Sequence, residues 1–317
     1  DATLDSLAIN AVSSVDLSIT GVANLTLTGQ LAVVKITPDE ATDARYTALK
    51  MKDVTVTADT STETFGLTGA VTLSRLDYNI AADGFDRLDW TKTFDFDGDD
   101  THETLDPGAD LPTPQDLTID FTNEFVYRVT GSVTGDAGND DIFITADDVT
   151  LAGTAEFAVT RYQRDIGTLT DANIDSYAFT LNGVQLIIGT EIDLTLSGAV
   201  AVVNGGDQYT AVKMKDITVT ADASTGTFGL TGTLTLNSID YNGVSAGDRL
   251  DWTTLNLNPG ADLPTPQDLT IDFTDDFVHR ITGSVTGDAG NDDIFITADD
   301  VTLAGTAEFA VTRYQRD

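Results

Sequence analysis

The chain contains itself twice. Residues 106–165 and 258–317 align without a gap at an offset of 152 residues, and 55 of the 60 positions are identical. The five differences are Asp106/Asn258, Asn123/Asp275, Glu124/Asp276, Tyr127/His279 and Val129/Ile281, all mild. A fixed long period marks an array, and arrays build length more often than a reaction centre.

The similarity reaches further upstream. Ala48-Leu-Lys-Met-Lys-Asp-Val-Thr-Val-Thr-Ala-Asp returns as Ala211-Val-Lys-Met-Lys-Asp-Ile-Thr-Val-Thr-Ala-Asp. Thr64-Phe-Gly-Leu-Thr-Gly returns at Thr227, and Arg87-Leu-Asp-Trp90 returns as Arg249-Leu-Asp-Trp252. The opening Asp1-Ala-Thr-Leu-Asp-Ser is echoed by Asp171-Ala-Asn-Ile-Asp-Ser. The expected organisation is one β-rich unit over 1–170 and a second over 171–317. They are expected to be part of a longer polypeptide with more such units; the alternative is one pseudo-symmetric two-domain protein.

Alternation dominates between the loops. Asp53-Val-Thr-Val-Thr-Ala and Asp216-Ile-Thr-Val-Thr-Ala place apolar side chains on one face and Thr on the other. Period two with Val, Ile, Thr and Phe reads as strand, so the fold class is all-β with helix confined to short turns. The tandem units would form an elongated array, either β-solenoid-like or a series of β-sandwiches. A smaller motif, apolar-(Thr/Ser/Ala)-Gly, recurs at Gly29, Gly69, Gly131, Gly153, Gly198, Gly232, Gly283 and Gly305. Such a glycine marks a bulge or bend within a strand, or it ends a hairpin strand. The three prolines of 107–116 and of 259–268 exclude a central strand. Each stretch is expected to be a rigid connector before a strand at Leu117-Thr-Ile-Asp-Phe121 or its twin. The first copy carries about ten extra residues, 94–105, expected to be a surface loop.

Charge is the second strong feature: 52 acidic against 16 basic residues, net −36. Phosphate binding needs clustered Lys and Arg, which argues against nucleic acid and anionic membrane surfaces as partners. Only seven of the acids are Glu. Asp, unlike Glu, closes turns by bonding to nearby backbone amides, and its carboxylates crowd calcium loops. Such excess charge repels itself and calls for counter-ions. Cysteine is absent, which excludes disulfides and thiolate metal sites. No run of 18 apolar residues occurs, so no membrane-spanning segment is expected, and a mature or excised segment is expected to show no signal peptide.

Two acidic stretches are candidate calcium sites. In Asp95-Phe-Asp97-Gly-Asp99-Asp100-Thr101-His102-Glu103-Thr-Leu-Asp106, carboxylates at alternate positions can converge on one hard cation. The candidate ligands are Asp95, Asp97, Asp99, Glu103 and Asp106. The run departs from an EF-hand, with Gly98 fourth rather than sixth and Asp106 closing it; the alternative is a solvated acidic loop. Gly135-Asp-Ala-Gly-Asn-Asp-Asp-Ile-Phe143 and 287–295 resemble the calcium-binding nonapeptide of RTX proteins. That resemblance nominates Asp136, Asp140, Asp288 and Asp292, with Asp147, Asp148, Asp299 and Asp300 close behind. Asp136 replaces the second paired glycine, and RTX sites need stacked adjacent turns, so an Asx-rich hairpin turn is the competing reading.

Trp90 and Trp252 hold the same place in each copy. Either could stack on a sugar, but a core plug is the favoured reading. His102 lies in the insertion and His279 replaces Tyr127, so the copies share no His. A nucleophile–base pair is then hard to place, and no catalytic activity is expected. The lysines of Lys50-Met-Lys52 and Lys213-Met-Lys215 are expected to lay their stems on apolar surface and pair with Asp. The sequon at Asn24 falls inside an expected strand and is discounted.

Taken whole, the chain resembles the tandem β-repeats of giant secreted bacterial surface proteins of the RTX-adhesin type. It shares their acidic, Thr- and Asp-rich, cysteine-free style, their Leu-Thr-Gly strands and their Gly-Asn-Asp turns. The resemblance implies an extracellular stalk, adhesin or fibre segment at the cell surface, with calcium stiffening its junctions. The partners it implies are neighbouring copies of the repeat and a cell-surface glycan or other cells. A non-covalently polymerising filament subunit is the first alternative, and a carbohydrate-binding or carbohydrate-active β-module the second.

Overall fold

In the computed structural model, the described residues are 2–19, 23–41, 43–58, 69–95, 99, 101–135, 144–146, 149–188, 192–221, 232–287, 296–298, 301–303 and 305–315. They are all-β, with three 3-10 turns and no α-helix. The strands are β1 (Ala2–Ile19), β2 (Ala23–Pro38), β3 (Tyr46–Ala58), β4 (Gly69–Ala81), β5 (Phe125–Gly135), β6 (Ile144–Ala146), β7 (Val149–Ile166) and β8 (Leu169–Ile188). They continue with β9 (Ile192–Gly205), β10 (Tyr209–Ala221), β11 (Gly232–Val244), β12 (Phe277–Gly287), β13 (Ile296–Ala298), β14 (Val301–Leu303) and β15 (Gly305–Tyr314).

The pairing order is β1-β2-β3-β4-β5-β7-β8-β9-β10-β11-β12-β15, an open antiparallel sheet. β6 adds to β7, and β13 pairs with β14. The chain forms two compact units. One comprises Asp1–Thr57, Val71–Gly131 and Val159–Asp175; the other comprises Ala58–Ala70, Ser132–Ala158 and Ser176–Asp317. Segments 58–70 and 132–158 of the first sequence copy thus belong to the second unit.

Two of the motif glycines, Gly198 and Gly29, stand at bulges within strands. Gly198 lies opposite two residues of β10, because the register steps from Lys215↔Ala199 to Thr218↔Ser197. Asp216, one of the two residues that face Gly198, takes φ 54°, a left-handed conformation that Asp tolerates better than most residues. A Cβ on Gly198 would lie 2.7 Å from the Asp216 carbonyl oxygen. Gly29 repeats the arrangement against Asp53 at 2.6 Å, with Asp53 also at φ 54°. Gly69 and Gly232, by contrast, open β4 and β11.

What covers the sheet in each unit is not a second sheet. In the first unit, Ala32, Val34, Ile36 and Ala48 of β2 and β3 pack under Trp90, Phe94, Leu117, Ile119 and Phe121. All five come from the long connection between β4 and β5. The stretch 117–121, expected as a strand, makes only the isolated bridge Leu105↔Ile119. It is an extended strap, and its alternation serves to bury Leu117, Ile119 and Phe121 against the sheet. Pro107–Asp110 forms a 3-10 turn ahead of it. The insertion 94–105 is anchored at both ends by Phe94 and Leu105, and Asp95, Asp99 and His102 between them are exposed. In the second unit the equivalent cover supplies buried Leu250, Trp252, Leu257, Leu263, Leu269, Ile271 and Phe273.

Candidate functional site

Each cover is locked to its sheet through one tryptophan. Trp90 and Trp252 are fully buried, and burying a ring of that size is worth on the order of 5 kcal/mol. Trp90 Nε1 donates to Asn79 Oδ1 at 2.8 Å, and Asn79 Nδ2 donates to the carbonyls of Leu88 and Thr122. The second copy repeats the knot: Trp252 Nε1 to Asn242 Oδ1 at 3.0 Å, and Asn242 Nδ2 to Leu250 and Thr274. One asparagine thereby satisfies three groups that burial would otherwise strand. The core reading of the tryptophans is the right one, and neither ring is open to a sugar.

Periodicity alone does not mark Asn79 and Asn242 as core residues. In Asp77-Tyr-Asn79 and Asp240-Tyr-Asn242 the polar residues are buried, while Tyr78 and Tyr241 are exposed. Asp77 Oδ2 pairs with Arg75 and, at 3.8 Å, with Arg128. Asp240 Oδ2 accepts from Arg280 Nε at 2.9 Å. The other oxygen, Oδ1, is buried without a hydrogen bond in both. Burial raises the Asp77 carboxyl above its ordinary value, against the opposing pull of Arg75, Lys50 and Arg128. The signal that could have revealed these residues is the return of the same Asp-Tyr-Asn triplet in both copies.

The lysine expectation holds for one lysine of each pair. Lys50 Nζ lies 3.2 Å from Asp120 and 5.8 Å from the Phe121 ring centre. Lys213 lies 2.9 Å from Asp272 and 5.5 Å from Phe273. The preference for Asp over Glu also has a visible cause. Asp89, Asp99, Asp116, Asp251 and Asp268 each accept, through Oδ1, both the N–H and the hydroxyl of the Thr two residues on. Glu, one methylene longer, does not close that turn. The bonds from Thr118 and Thr270 hold the Asp116 and Asp268 carboxyls below the usual range.

The calcium candidates divide. Asp95, Asp99 and Glu103 converge, with one oxygen from each within 4.8 Å of the others. The loop carries them together because the Asp99 N–H bonds to Asp95 Oδ1 at 3.2 Å and the Glu103 N–H bonds to the Phe94 carbonyl at 2.9 Å. Three carboxylates so placed can ligate a hard cation, with water completing its shell. Asp106 stands apart from this convergence. Its Oδ1 accepts from the N–H groups of Gly108 and Leu117, both at 3.0 Å, capping the 3-10 turn and tying it to the strap. Asn258 Oδ1 makes the equivalent bond to Leu269, also at 3.0 Å, which explains why the copies interchange Asp and Asn. Asp97, Asp136, Asp140, Asp288 and Asp292 lie outside the described residues, as do Asp147, Asp148, Asp299 and Asp300.

Among the described residues no helix is long and apolar enough to cross a membrane. Compared with known proteins, the chain matches no protein-family model, no curated protein and no solved structure.

Proposed function

We propose that the chain is a structural repeat segment of an extracellular fibre, stalk or adhesin, stiffened by calcium in its Asp-rich loops. The observation that carries this reading is the duplicated Trp–Asn knot. What the two copies hold in common is framework: the knot, the Lys–Asp clamp, the bulge glycines facing Asp53 and Asp216, and the Asp-x-Thr turns. The acidic triad Asp95, Asp99 and Glu103 belongs to a loop that only the first copy has. A unit copied for its scaffold suits a protein whose output is span and rigidity. Net charge of −36 makes a bound cation stabilising wherever carboxylates gather.

Two measurements test it. Antibodies to the chain should label the outside of intact source cells; an exclusively internal signal contradicts the extracellular role. Millimolar calcium should raise the melting temperature and chelation should lower it. Asp95→Asn with Asp99→Asn and Glu103→Gln should remove the loop's share of the shift. A melting temperature indifferent to chelation contradicts the calcium part alone.

A further inference from the structure

The sequence copies and the compact units are out of step. Ser132–Ala158 come from the first copy but belong to the second unit, so β7 passes from one unit to the other between Ala158 and Val159. The first copy thereby lends the second unit one end of a strand, and on that end stands Glu156. Glu is scarce here, with seven among 52 acidic residues. Asp suffices where a carboxylate closes on the Thr two residues on. A longer arm serves where the partner lies on another element.

Glu156 repeats the pairing of the Asp-x-Thr turns, but across 109 residues. Its Oε2 accepts from the Thr265 N–H at 3.0 Å, and its Oε1 accepts from the Thr265 hydroxyl at 2.8 Å. Thr265 stands between Pro264 and Pro266 in the proline-rich connector of the second cover. Proline has no N–H, and a residue before proline is held extended. Thr265 therefore presents the single amide of that tripeptide in a preset direction. The nearby amides of Leu263 and Gln267 turn inward to the Gly260 carbonyl, at 3.3 and 2.9 Å. Directly after the connector come Leu269, Ile271 and Phe273, the buried strap of that cover. The connector is thus held by its own cover on one side and by a strand of the other copy on the other.

We infer that Glu156 is a clasp by which the first copy fastens the cover of the second, so that opening of the Trp252 cover is coupled to release of Thr265. It deepens the proposed function and rests on that reading for its purpose: stiffness passes between the two copies through a side-chain bond as well as through the sheet. The clasp needs Glu in particular. Asp is one methylene shorter, and Gln keeps the reach but only one accepting oxygen. A carboxylate that accepts two bonds from one residue also fixes where that residue sits, as a fork does.

Hydrogen exchange of the 317-residue chain, followed by NMR, tests the clasp. Thr113 is the same position in the first copy, and among the described residues no carboxylate holds its amide. In wild type the Thr265 amide should exchange about tenfold or more slowly than that of Thr113, because hydrogen bonds to a charged group are the stronger kind. Glu156→Ala and Glu156→Asp should bring Thr265 to the Thr113 rate, and Glu156→Gln should fall between. In Glu156→Ala the Trp252 indole N–H should exchange about threefold or more faster, as a cover that opens locally would show. The Trp90 indole, under the first cover, should not change and reports that the variant is folded. A wild-type Thr265 amide that exchanges like Thr113 overturns the inference. So does a Glu156→Ala chain in which Thr265 keeps its protection, or one in which the Trp252 indole is unmoved. Exchange rates depend on neither the extracellular location nor calcium, so the clasp and the stalk reading fail by separate results.

Discussion

β7 and β15 share a sequence and differ in exposure. Ala158 and Thr160 are buried in β7, and the same residues in β15, Ala310 and Thr312, are exposed. Burial on a strand is thus a property of what lies alongside it, not of its own residues. The contrast also separates what each unit supplies for itself, the knotted tryptophan and its cover, from what it takes from the next strand in order.

The largest expected break in that comparison comes from a buried charge. Ala158→Asp should cost about 3 kcal/mol or more, because an unpaired carboxylate would lie beside β8. Ala310→Asp should change the stability of the dilute chain by no more than about 0.5 kcal/mol. Denaturant unfolding of the two variants checks this; equal effects would mean that β15 is covered as β7 is. Next comes Gly153→Ala. Gly153 has φ 128°, and a Cβ there would lie 2.8 Å from the Gly183 carbonyl oxygen and the Val184 Cα. Strain of about 1–3 kcal/mol should follow, read from the same unfolding curves, and a neutral result would displace β8 from its place beside β7.

The strands, the glycine bulges and the proline-rich turns were legible because each rests on local rules: period two, positive φ, the missing amide of proline. Two features were not. The stretch 117–121 alternates like a strand, but alternation reports only that one side is buried; nothing local says whether a neighbour offers a hydrogen-bond ladder. Asp77-Tyr-Asn79 inverts the usual pattern, because the buried Asn answers a Trp eleven residues away and a carbonyl forty-three residues away. Long-range polar satisfaction leaves no periodic trace. In the candidate calcium loop, converging carboxylates were legible at Asp95, Asp99 and Glu103. The capping role of Asp106 was not legible, since a ligand and a turn cap are the same residue until the neighbouring amides are placed.

The smallest expected effect is one of pH. Asp77 holds its proton more tightly folded than unfolded, so its contribution is fully present below the ordinary carboxylate value. It is lost as pH rises through the raised one. Asp116 and Asp268 act in the opposite sense, stabilising above the ordinary value and losing that contribution as pH falls through their lowered values. Melting curves of wild type and Asp77→Asn between pH 4 and 7 should differ in slope, the variant losing less stability as pH rises. Parallel curves would mean that the Asp77 carboxyl is not raised.

The central claim, that each cover is held to its sheet through a buried tryptophan and its asparagine, has a direct test in denaturant unfolding of Asn79→Ala and Asn242→Ala. Each substitution leaves the tryptophan Nε1–H and two carbonyls without their partner. The account expects each to lower stability by about 1–3 kcal/mol. A loss below about 0.5 kcal/mol in both variants would contradict it.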